Sequence, residues 1–174
     1  WFYQETVDHV ERYLAQKHDK PFFLSVGIDE PHRNNIGREE LAIGRDSARF
    51  SKTRYYDPEK LDYRYLAPPP FLPDLPEIRK DMASYHEGVR FMDEYMGRVL
   101  YALEQYGYED NTLVIVTTDH GIEFPGGKKT LSDQGIGVML MIRGPFGFDG
   151  GKVIEPIVSH LDIYPTICEL LVME

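Results

Sequence analysis

A chain of 174 residues, 42% hydrophobic and 13% aromatic, is long and apolar enough for one domain with a sizeable core, which excludes a disordered polypeptide. Its net charge of −10 argues against a binder of phosphate backbones, which needs a basic face. It leaves room for an anionic small substrate, because a few local cations override a distant field.

Apolar residues at Val7, Val10, Tyr13 and Leu14 follow helix spacing and predict a helix over residues 4–16. Residues 21–27 are short, apolar and closed by Gly27, and read as a buried parallel strand. Residues 29–76 hold no sustained period; a loop this long in a compact domain is more often functional than filler. Helix spacing returns over residues 77–106 through Met82, Tyr85, Val89, Met92, Met96, Val99 and Leu103, with Gly107 as the stop. Residues 113–116 and 138–142 are two further buried strands, and a short helix begins near Asp162 with Pro165 in its first turn. Strands alternating with helices predict an α/β fold with a mostly parallel sheet flanked by helices. No apolar run reaches the ~18 residues of a membrane span, and the single cysteine, Cys168, cannot form an internal disulfide.

Ligands of open α/β sheets gather beyond the carboxyl ends of the strands, so strand exits are where chemistry is sought. Asp29-Glu30-Pro31-His32-Arg33 follows the first strand and Thr117-Thr118-Asp119-His120-Gly121 the second. Asp119 and His120 offer a hard carboxylate oxygen and an imidazole that can hold a divalent metal; a turn Asp beside a packed His fits the same dipeptide. Histidine as a residue type titrates near neutrality, so His32 suits a general acid, and Arg33 suits a bidentate clamp on sulfate or phosphate oxygens; a loop His beside a solvated Arg fits as well. Gly126-Gly127-Lys128-Lys129 is a glycine turn with two ammonium groups, able to neutralise an oxyanion or to lie solvated on the surface. It is not a P-loop, because Lys129 stands between Lys128 and Thr130. His160 reads as packed or solvated and Asp162 as a helix N-cap. Met82, Met92 and Met96 read as core, and Glu87 with Arg90 as a surface pair.

Taken in order, Pro31-His32, Met92-Asp93 and Gly97 on the long helix, Asn111-Thr112 before a strand, Thr118-Asp119-His120-Gly121, a downstream Lys, and Val158-Ser159-His160-Leu161-Asp162-Ile163-Tyr164-Pro165-Thr166 resemble the sulfatase family of the alkaline phosphatase superfamily. Pro31-His32-Arg33 and Asp119-His120-Gly121-Ile122-Glu123-Phe124-Pro125, with Lys128 after it, are most similar to the heparan N-sulfatase branch. The resemblance implies an alkaline-phosphatase-like fold, with residues 1–174 forming part of a single catalytic domain. It implies hydrolysis of a sulfuric ester or N-sulfate on a sugar, as in glycosaminoglycan degradation. Asp119 and His120 would be calcium ligands, Lys128 a sulfate-binding base, His32 the active-site His that contacts sulfate and leaving group, and Arg33 a substrate contact. It further implies a formylglycine nucleophile made from Cys or Ser in a Cys/Ser-x-Pro-x-Arg segment. No such segment occurs in these residues; Cys168 lies in Ile167-Cys168-Glu169-Leu170 and reads as core, so the nucleophile and the paired Asp ligands are expected upstream. A periplasmic, secreted or lysosomal protein with a sulfated carbohydrate or small sulfate ester as substrate, and no nucleic acid, is the matching expectation. A phosphodiesterase or phosphonate hydrolase of the same superfamily, and a non-catalytic glycan-binding relative, are the alternatives.

Overall fold

The computed structural model describes residues 2–35, 48–49, 62–145, 147–148 and 150–171. They fall into two compact units, one of Trp1–Tyr108 with Asp119–Val138 and one of Glu109–Thr118 with Met139–Glu174.

The first unit is built on two helices, α1 (Phe2–Leu14) and α2 (Pro76–Gln105). The apolar spacing read in the sequence puts Val7, Val10 and Leu14 on one face of α1, and all three are buried. On α2 the buried set includes Met82, Ala83, Phe91, Ala102 and Leu103; each large apolar side chain so buried is worth roughly 1.5–3 kcal/mol. Ala83 and Ala102 add little area but let a neighbour come close. Arg98 of α2 ties the helices together, reaching Asp8 at 2.8 Å and Glu11 at 2.9 Å. Pro76 opens α2 at a position whose N–H needs no helical partner. At the other end Gly107 takes φ +74, its N–H bonds Glu104 O and the Tyr108 N–H bonds Leu103 O, a Schellman stop. Phe22 packs edge-on to both Tyr13 and Tyr108, and the Tyr108 hydroxyl donates to Gln16 O at 3.0 Å.

Residues 21–27, read as a strand, belong to no ladder among the described residues. Their exposure nevertheless alternates, with Phe22, Leu24, Val26 and Ile28 half-buried and Phe23, Ser25 and Gly27 exposed. The period is that of a strand; a ladder needs a hydrogen-bonding neighbour as well. Two short strands, β1 (Asn34–Asn35) and β2 (Ala48–Arg49), pair antiparallel inside the long loop. The loop's stretches 36–47 and 50–61 lie outside the described residues. Leu72, Met82 and Phe124 form a second core cluster, flanked by Ile78, Tyr85 and Ile122. The short helix α3 (Asp133–Ile136) is N-capped by Ser132.

In the second unit β3 (Val114–Thr117) and β4 (Leu140–Arg143) pair antiparallel, in register from Val114 opposite Arg143 to Thr117 opposite Leu140. The sequence reading expects a mostly parallel sheet; short apolar runs encode burial but not the direction of the partner. Asp162 stands at the N-cap position of α4 (Ile163–Leu170) as expected, but makes no side-chain cap bond there. Its carboxylate reaches back to the Ser159 N–H at 2.7 Å, and Ser159 Oγ accepts from the Leu161 N–H, a capping box around the single 3-10 turn His160–Asp162. Cys168, expected in the core, is half-buried, because none of the residues of α4 is fully covered. His160 is exposed with its Nε2 2.8 Å from Thr117 Oγ1.

Candidate active site

Three stretches of the first unit meet around Arg33. Its guanidinium takes both carboxylate oxygens of Asp81, on the early turns of α2, at 2.7 and 3.1 Å. It also lies 5.2 Å above the ring of buried Phe124, so it is held by a planar fork and by a π face at once. Its backbone N–H donates to Glu123 Oε2 at 2.9 Å. One residue earlier, the His32 N–H donates to Asp29 O at 2.6 Å and fixes the turn that carries the imidazole.

Lys128 is aimed by its loop. The Lys128 N–H donates to Ile122 O at 2.9 Å, which folds the segment back on itself. A Cβ at Gly127 would stand 2.0 Å from Ile122 O, so that return has room only for glycine. The hydroxyls of Thr130 and Ser132 donate to the Gly126 carbonyl and pin the turn from outside. The Lys128 side chain, 17% exposed, places Nζ 2.8 Å from His32 Nε2 and 3.5 Å from Glu123 Oε1. An ammonium has only donors, so His32 accepts here through Nε2, and a neutral imidazole in this arrangement carries its proton on Nδ1. Glu123 Oε2 lies 3.9 Å from the same Nε2. Burial pushes the Glu123 carboxyl up, but the Arg33 N–H, the charge that His32 carries when protonated and the Lys128 ammonium outweigh it and hold the group below the ordinary carboxylate range.

Asp119 and His120 converge: Asp119 Oδ2 is 3.5 Å from His120 Nε2. His120 Nδ1 is 2.8 Å from Gly121 O, a geometry in which Nδ1–H donates and Nε2 keeps its lone pair toward the Asp119 side. One hard oxygen donor and one available imidazole nitrogen fit part of a divalent-metal site. Among the described residues no group of three or more His, Cys, Asp or Glu is placed to hold a metal.

An open-sided cavity of about 350 Å³ is walled by Arg33, Asp81, Glu123, Phe124, Lys128 and Lys129. His32 meets it through Lys128 and Glu123; Asp119 and His120 are not in its wall. Lys129 is exposed and sits at φ +70, a left-handed backbone uncommon for a residue with a Cβ. Asp81 and the part played by Glu123 escaped the sequence reading. Their partners lie 48 and 90 positions away, and nothing local to either residue marks it.

The sulfatase family model matches residues 2–173. Human N-sulphoglucosamine sulphohydrolase is 32% identical over 166 residues, covering 92% of this chain and 33% of the relative. Arylsulfatase K of Xenopus laevis is 28% identical over 181 residues, covering 90% and 33%. An extracellular sulfatase homologue of Drosophila melanogaster is 26% identical over 172 residues, covering 89% and 15%. The chain therefore spans about a third or less of the length of these relatives.

Proposed function

This chain belongs to the sulfatase family, whose fold is alkaline-phosphatase-like α/β, and from that premise we propose that the protein containing it hydrolyses a sulfate ester or an N-sulfate on a sugar. The observation that carries the reading is the His32–Lys128 pair, 2.8 Å apart on the rim of a cavity that also exposes Lys129. Lys128 neutralises charge that develops on the sulfuryl oxygens. His32 delivers a proton to the departing alcohol or amine. Arg33, already held by Asp81, offers the cavity a fixed positive face as a substrate contact. Asp119 and His120 would hold part of a calcium ion's coordination shell, and the ion would supply Lewis-acid stabilisation of sulfuryl oxygens. A formylglycine, the nucleophile of the family, would have to come from residues other than these and would supply the attack on sulfur.

In this reading residues 1–174 are one part of a single catalytic domain. The alternating exposure of residues 21–28 supports their place as a strand of a mostly parallel sheet completed by other residues. The human relative's name supports an N-sulfated glucosamine as the first substrate to try, and the fly relative's supports a place outside the cytosol. A periplasmic, secreted or lysosomal location belongs to the same proposal.

The test uses the full-length protein with calcium, assayed for sulfate release from N-sulfated glucosamine and from an aryl sulfate. Release that is lost in His32→Ala and in Lys128→Ala is the expected result. Cleavage of a phosphodiester or phosphonate with no sulfate released would move the protein to the phosphohydrolases of the superfamily. Saturable glycan binding without turnover would make it a binding relative.

A further inference from the structure

Glu123 stands where two separate stretches of chain bring their positive charge together. Its Oε2 accepts the Arg33 N–H at 2.9 Å and lies 3.9 Å from His32 Nε2, while Oε1 is 3.5 Å from Lys128 Nζ. The carboxylate is also held in place from below. Its own carbonyl takes two longer contacts from the Arg33 guanidinium at 3.4 Å, and the next residue, Phe124, is buried beneath that guanidinium.

An imidazolium and an ammonium at 2.8 Å repel each other, so Lys128 by itself would keep His32 neutral. A carboxylate within 4 Å of both reverses part of that bias. We infer that Glu123 is a positioning residue for the reaction: the 2.8 Å contact needs a neutral Nε2, and when His32 takes up a proton and that contact opens, the Glu123 carboxylate 3.9 Å away favours the protonated acid while Lys128 stays an ammonium for the anion. The inference rests on the roles proposed above for His32 and Lys128. Among the described residues and contacts, the charged groups beside this pair include Glu123, the Arg33 guanidinium with Asp81 set against it, and Lys129 on the cavity wall. Asp81 is engaged with Arg33, which leaves Glu123 as the carboxylate that faces both His32 and Lys128 among the contacts described.

The test is a titration of the His32 imidazole by NMR in the full-length protein, its signal assigned by its loss in His32→Asn. Glu123→Gln keeps an oxygen for the Arg33 N–H and nearly the same volume while removing the charge. The midpoint of His32 should fall by about one pH unit, in the range for losing a neighbouring opposite charge. The alkaline limb of kcat should move down with it, while KM changes little. Glu123→Asp withdraws the charge by one methylene and should give a smaller fall in the same direction, which serves if the Gln protein does not fold. A His32 midpoint unchanged in a folded Gln or Asp variant overturns the inference. Turnover that survives His32→Ala would instead overturn the functional reading, and the titration would still decide whether Glu123 governs the proton.

Discussion

Lys128 Nζ and His32 Nε2 lie 2.8 Å apart although 96 positions separate them in the chain. The contact is made by two rigid local turns, not by long flexible reach. The Asp29–His32 backbone bond fixes one turn, and the Ile122 carbonyl, which accepts the Lys128 N–H, fixes the other. A site defined this way discriminates sharply between neighbouring residues of identical chemistry.

Lys128→Ala in the full-length enzyme should lower kcat/KM for a sulfate substrate at least ~100-fold, the range for removing one oxyanion stabiliser. Lys129→Ala should cost much less, because Lys129 is exposed whereas Lys128 is tucked against His32 and Glu123. Equal losses in steady-state kinetics would mean that the two lysines share the work.

Asp81→Ala removes the two shortest acceptors of the Arg33 guanidinium, on a side chain that is only 19% exposed, and leaves it the longer contacts to Glu123 O. A charged donor left short of partners in a half-buried place costs about 1–3 kcal/mol. Urea unfolding of the variant should show a lower midpoint with an unchanged slope. A midpoint equal to that of the wild type would show that water replaces Asp81 without penalty.

Gly127→Ala should disturb the loop more than its size suggests. The added methyl would have to displace the Ile122 carbonyl, which is backbone and also the acceptor for the Lys128 N–H. Overpacking of this kind costs typically ~1–3 kcal/mol. Here it should also lower kcat, because the displaced carbonyl aims Lys128. Gly97→Ala is the control: open space surrounds the position, and a helix gains from losing a glycine.

Stability should depend on Glu123 in one direction of pH. Its folded-state pKa is depressed, so its ion pairs contribute fully above the ordinary carboxylate range. Their contribution fades as pH falls through that range and down through the folded value. The stability difference between wild type and Glu123→Gln should therefore be largest near neutrality and close toward strong acid. A gap that widens on acidification would contradict the ion pairing.

The 174-residue chain expressed alone should release no sulfate from an aryl sulfate or from N-sulfated glucosamine, with calcium present. Covalent catalysis needs a nucleophile, and neither Cys168 nor any serine is followed two residues later by proline. Turnover that persists in Cys168→Ala and vanishes in His32→Ala would show that the nucleophile inventory is mistaken.

Much of the helical framework was legible because it is locally encoded. The apolar spacing of Val7, Val10 and Leu14 buries one face of α1, and Gly107 supplies the left-handed turn that ends α2. The direction of β3 against β4 was not legible, since four apolar residues fit a parallel or an antiparallel neighbour equally well. His32, Lys128, Asp119 and His120 stood out as residue types in loops. That His32 and Lys128 touch could not be read from spacing, because it depends on how two distant turns fold. Asp81 was invisible for a similar reason: an Asp on an amphipathic helix looks solvated until an arginine from elsewhere closes over it.

Every residue from 151 to 162 is exposed, including Val153, Ile157 and Leu161 at 83%, 101% and 84%. Such a strip is a ready substrate for self-association when this polypeptide is made by itself. Pro156 divides it, separating Val153-Ile154 from Ile157-Val158, and a proline so placed cannot donate to a growing cross-strand ladder. The segment thus carries its own brake on fibril-like stacking.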